Sequence, residues 1–210
     1  MPAQAQLVIT EVDPSGSGNN TYQQDWFELT NYGTTALNLT GFSMDDSSDK
    51  ASDAVALKGV TSIAAGQSVV FVEDTGETSK DATLDAAFEQ AWFGNKVPAG
   101  FTIGNYGGSG VGLSQSGDAV NIFNASGTQV TGVDFGDSSN GVTFDNSVAR
   151  VTNDGTISTV SVVGVNGAFE SPTGEIGSPG AVPEPSSGAL AGIVAAALGF
   201  GLWRRQQARA

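Results

Sequence analysis

Residues 25–31 read DWFELTN, and the placement of the aromatic and acidic side chains in this run decides the fold class. Successive side chains of a strand point to opposite faces, so Phe27 and Leu29 share one face while Trp26 and Glu28 share the other. A half-buried strand follows, with Phe27 and Leu29 turned to the core and one of the two aromatics near the edge of a sandwich. The NYG that comes next is a turn signal.

Working outward, the same period-two pattern recurs in LVITEVD (residues 7–13), ALNLTGFSM (36–44), QSVVFVED (67–74), DAVNIFN (118–124), TQVTGVDFG (128–136), SVARVT (147–152) and STVSVVGV (158–165). Turn signals such as AAGQ, NASG and TNDG separate these runs at the spacing of an antiparallel sandwich or barrel. Gly41 and Gly117 stand where turns need a positive φ, and Asp118 suits an Asx turn. The expected class is all-β. One interruption, SKDATLDAAFEQAWFGN, places Leu84, Phe88 and Trp92 four residues apart; it predicts a short amphipathic helix over Asp81–Phe93, capped by Asp81 and ended at Gly94. GNYGGSGVGL (104–113) has no Lys-Ser/Thr partner for a phosphate loop and reads as a flexible loop entering a strand.

Composition removes several kinds of chemistry. The chain has no Cys and no His, which excludes disulfides, thiolate and imidazole metal sites, a Cys nucleophile and a Ser/His/Asp triad. All 22 acidic residues lie at or before Glu184, against five basic ones there (Lys50, Lys58, Lys80, Lys96 and Arg150), a balance of −17 over residues 1–186. So acidic a surface repels nucleic acid, and no nucleic-acid partner is expected. The densest acidic group is SMDDSSDKASD, where Asp45, Asp46, Asp49 and Asp53 are weak candidates for calcium, a cation that favours oxygen ligands on flexible loops. The spacing matches no EF-hand and reads first as a solvated loop; no other cofactor is expected. Paired carboxylates could serve glycoside hydrolysis, but nothing in the sequence singles out two of them.

The end of the chain differs from the rest. From Ser187 to Trp203 run seventeen residues without a charge, followed by Arg204 and Arg205. This is just long enough for a membrane-spanning helix, and the arginines would stay cytoplasmic. Pro183 and Pro185 hold Glu184 in an extended segment ahead of it. At the other end PAQAQ resembles the close of a signal peptide, so residues 1–6 are expected to be the remnant of a leader or the stretch after one, with an upstream in-frame extension encoding it.

The ordered series ITEV, DWFELTNYG, LNLTGFSMDD, SIAAGQSVVFVED and GLSQSGDAVNIFNASGTQVTGVDFGD resembles the lamin-tail domain as found in bacterial envelope and secreted proteins. The resemblance spans about residues 7–152 and implies an immunoglobulin-like β-sandwich that serves as an adhesive or targeting module, not an enzyme; the helix is an insertion. Val182, Pro183, Glu184 and Pro185, the small-residue apolar segment and the Arg204–Arg205 cluster are similar to the PEP-CTERM sorting signal. That similarity implies a Gram-negative-type bacterium, export, and processing by an exosortase. The expected layout is a sandwich over residues 7–165, a linker over 166–181 and a sorting signal over 182–210 with its helix at about 187–203. The expected function is a non-catalytic surface or extracellular-matrix component, held at the inner membrane as a single-pass precursor with a cytoplasmic C-terminus and then moved to the cell surface or released. Partners would be the exosortase, the membrane, and extracellular polysaccharide or other surface proteins. A calcium-assisted adhesin and a small carbohydrate-active hydrolase are the alternatives.

Overall fold

A computed structural model describes residues 7–14, 22–74 and 76–181. In chain order the strands are β1 (Leu7–Asp13), β2 (Trp26–Asn31), β3 (Leu37–Asn38), β4 (Ser43–Asp45), β5 (Val55–Lys58), β6 (Ser62–Ile63), β7 (Ser68–Asp74), β8 (Ile103–Gly107), β9 (Ser116–Phe123), β10 (Gln129–Asp137), β11 (Phe144–Asp145), β12 (Gly155–Ile157), β13 (Phe169–Glu170) and β14 (Ile176–Gly177), with one α-helix, α1 (Asp81–Phe93), between β7 and β8. Ten strands form a single sheet in the order β11-β1-β2-β7-β8-β5-β4-β9-β10-β12. It curls into a nearly closed, barrel-like form, so the described residues are mostly β with one helix. Its inner face encloses Ile9, Val12, Phe27, Leu29, Phe71, Val120, Ile122 and Val133. Phe27 and Leu29 therefore face the core, as their spacing predicts.

The helix occupies the expected residues and has a topological reason to exist. β7 and β8 are neighbours and run parallel, and a parallel pair needs a crossover long enough to return the chain to its starting end. Across the outer face of the sheet α1 lays Phe88, Ala91 and Trp92 against Trp26, Val70 and Val72. The VVFV run of β7 is thus apolar on both faces because both are covered. This corrects the expectation of an aromatic at a sandwich edge: Trp26 is wholly buried, and its ring meets that of Trp92 edge-on, with centroids 5.5 Å apart. No side chain caps the helix start, so Asp81 does not act as expected, whereas the Gly94 N–H closes the last turn on the Gln90 carbonyl.

Other local readings also shift. Residues 36–44 divide into β3 and β4 around a turn where Gly41 has φ +80°. SVARVT is not a strand: Asn146 substitutes for a backbone partner, its amide donating to the carbonyls of Ile9 and Val151 while its oxygen accepts from the Val151 N–H. STVSVVGV is an irregular loop touching the sheet through a bridge from Val160 to Phe144. The glycine-rich stretch begins as β8, where Gly104 is packed so tightly that a Cβ would come within 2.5 Å of the Phe71 ring. Residues 166–181, expected as a linker, belong to the folded unit: β13 pairs with β14, and Ala168, Glu175 and Ser178 are buried. The folded unit therefore extends past residue 165 to residue 181.

Candidate functional site

Strict alternation along β1 would turn Glu11 inward with Leu7 and Ile9. Instead the register shifts between Ile9 and Glu11, which sets Glu11 opposite Glu28 of β2, while Val12 takes the next core position. Such a bulge re-aims the side chains that follow it. Glu11 and Glu28 become a buried pair on the outer face, 1% and 2% exposed, and what covers them is the chain after β14. The Ser178 N–H and hydroxyl donate to the two oxygens of Glu11 at 2.7 and 2.9 Å, and the Gly180 N–H donates to Glu28 at 2.6 Å. Thr10 donates to the other oxygen of Glu28, Thr143 donates to Glu11, and Ser68 donates to the carbonyl of Ala181 at 3.2 Å. Residues 178–181 form a strap held down by two carboxylates more than 150 positions away in sequence. Burial, reinforced by the charge of Glu28, pushes the Glu11 carboxyl up to about 8; burial likewise pushes Glu28 up to about 7.

A second acidic pair sits at the other end of β7. Asp25 and Glu73 are electrostatic neighbours, and burial, then the charge of Glu73, pushes Asp25 up to about 8. Asp25 also accepts from the Leu113 N–H at 2.9 Å. Glu73 lines an open cleft of about 460 Å³ together with Gln24, Asp74, Gly107, Gly108 and Ser109, and Asp74 is paired with Lys58 at 2.8 Å.

The four aspartates named as calcium candidates do not converge. Asp45 is buried at the end of β4 and accepts from the Ser48 hydroxyl and the Lys50 N–H. Asp46 accepts from the Ser48 N–H, and Asp53 lies 3.9 Å from the Lys50 ammonium on the surface. Asp49, at φ +49°, feels the charges of Asp154 and Asp45 and acts on Asp134. Among the described residues no three acidic side chains are grouped so as to hold a metal ion. Val182, Pro183, Glu184, Pro185, Arg204, Arg205 and the apolar segment at about 187–203 lie outside the described residues. Among those described, no helix is long and apolar enough to cross a membrane.

The family model of the Lamin Tail Domain matches residues 1–137. The chain is a lamin-tail domain protein. In this lamin-tail protein the matched range runs from β1 to the end of β10. A second model, the PEP-CTERM protein-sorting motif, matches residues 181–206, beginning at the residue whose carbonyl Ser68 holds. Neither curated proteins nor solved structures give a match to this chain. Sequence reasoning found both motifs but missed the strap and its two carboxylates. Its one available signal was the Ser-Pro-Gly of residues 178–180, which looks like any turn.

Proposed function

We propose that this protein is an exported, non-catalytic component of the cell surface or extracellular matrix, in which an immunoglobulin-like lamin-tail sandwich is delivered by its own C-terminal sorting signal. The single observation that carries the reading is where the sorting motif begins: it starts at residue 181, where the folded unit ends with the strap held on Ser68. A folded cargo and its address label thus meet without an intervening linker. On this reading residues 187–203 insert in the inner membrane, Arg204 and Arg205 remain cytoplasmic, and an exosortase acts on the Pro-Glu-Pro segment. The curled sheet, with its halves facing across one core, suits the sandwich. Extracellular polysaccharide or other surface proteins are the partners such a module would serve.

Cell fractionation of a strain expressing the full gene tests this. Wild-type protein should leave the inner membrane, whereas Glu184→Ala should accumulate there uncleaved. Equal distribution of the two would remove the exosortase from the account.

A further inference from the structure

The exposed large hydrophobic residues of the described chain are all valines: Val97, Val148, Val160, Val162, Val163 and Val165. Four of them lie in one six-residue stretch, and the strap explains what this stretch is near. Gly167 abuts the end of the strap, since a Cβ there would stand 3.0 Å from that of Ala181, and the Phe101 ring packs on Gly180 so closely that a Cβ would fall 2.5 Å from it. Ser161 is tied to the same place through Thr143, which bonds both Ser161 and Glu11. The loops 94–101 and 158–168 therefore flank the point where the chain leaves the domain.

Their charge is equally uneven. Residues 94–101 carry Lys96 and no acid, and residues 157–169 carry no charge at all. The acids beside these loops are few: Asp145, which is buried and accepts from the Asn166 amide at 2.7 Å, and Glu170 just past the second loop, whereas Asp49, Asp134 and Asp154 gather at the surface around the β10–β12 pairing. Only five residues, 182–186, separate Ala181 from the start of the apolar segment, and fully extended they span at most about 18 Å. The headgroup layer itself takes up roughly 5–8 Å of that distance. Because the strap is pinned, residues 166–181 cannot lengthen the tether. A domain of this net charge is repelled by anionic headgroups, so the side turned to the bilayer has to be its least acidic one.

We propose that the loops 94–101 and 158–168 form a lipid-facing surface, which rests Val97, Val162, Val163 and Val165 on the headgroups of the membrane that holds the tail. The proposal rests on the insertion of the tail argued above. It identifies a feature of the precursor: the folded domain sits down on the bilayer with a defined side, and the processing segment is held at the headgroup level.

The absence of Cys from the chain makes the test direct. Full-length Val163→Cys and Ser52→Cys, the latter in the acidic loop after β4, are labelled with an environment-sensitive fluorophore and reconstituted in vesicles of phosphatidylethanolamine and phosphatidylglycerol carrying nitroxide-labelled lipid. The label at position 163 should shift to the blue and be quenched by the lipid nitroxide, with the label at position 52 unaffected. Vesicle-bound protein in which both labels stay equally open to an aqueous quencher would overturn the lipid-facing surface and leave tail insertion standing. Failure of the full chain to bind vesicles would overturn both.

Discussion

Replacing Glu11 by Gln should flatten the dependence of stability on pH. In the folded chain the Glu11 carboxyl is raised from 4.5 to about 8 by burial and by the neighbouring Glu28, so folding favours the protonated form. For an acid raised in this way, the stabilisation is fully present below about pH 4.5 and is lost as pH rises through 8. Between pH 5.5 and 9 the loss from this one group is on the order of 3 kcal/mol, at about 1.4 kcal/mol per unit. With a urea slope of roughly 1–3 kcal/mol/M, the midpoint should fall by about 1–3 M over that range. Tryptophan fluorescence is a suitable probe, because Trp26 and Trp92 are both fully buried. Gln retains an oxygen for the Ser178 N–H and presents an amide where the protonated acid would present its hydroxyl, so Glu11→Gln should keep much of its low-pH stability and lose less of it by pH 9. Glu28, at about 7, and Asp25, at about 8, still decline in the variant, which makes the difference between the two profiles the quantity to read. Parallel profiles for wild type and Glu11→Gln would refute the claim that the buried strap carboxylate titrates against folding.

The remaining predictions concern packing and cations. Phe27→Ala and Leu29→Ala should each cost about 2–5 kcal/mol, since both side chains are fully buried in the core of the sheet; thermal melts that match wild type for both would put the core on the wrong face. Trp92→Ala should cost about 3–5 kcal/mol and expose Trp26, because it strips the main cover from the outer face of β2; differential scanning calorimetry reads the loss, and an unshifted transition would mean that α1 is only loosely attached. Millimolar calcium should leave the melting temperature unchanged, as no three acidic side chains among the described residues are grouped to hold a metal ion. A rise of several degrees that Asp45→Asn abolishes would revive the calcium-assisted reading.

How far the sequence could be read depended on whether a residue's surroundings were local. Phe27 and Leu29 were legible because the two-residue period of a strand reports its own faces, and Asp81–Phe93 because Leu84, Phe88 and Trp92 repeat every four residues within one helix. The orientation of Glu11 was not legible, since the shift after Ile9 leaves no mark in ITEV. The expectation of one aromatic near an edge did not hold because what covers Trp26, namely Phe88 and Trp92, arrives from a crossover that only the parallel pairing of β7 with β8 requires. The strap looked like a linker for the same reason: Ser178 and Gly180 are held by Glu11 and Glu28 across most of the chain, and Ser-Pro-Gly alone looks like punctuation. The spacing of the calcium candidates did not report their surroundings: the charges that act on Asp49 are those of Asp154, more than a hundred residues on, and of Asp45.

The central claim is that the C-terminal segment is a processed sorting signal on a lamin-tail cargo, and intact-mass spectrometry of the protein recovered from the cell surface tests it most directly. The account predicts a mature chain that lacks Arg204 and Arg205 and still contains the strap through Ala181. Surface protein carrying an intact C-terminus through Ala210 would contradict it and make the tail a permanent membrane anchor.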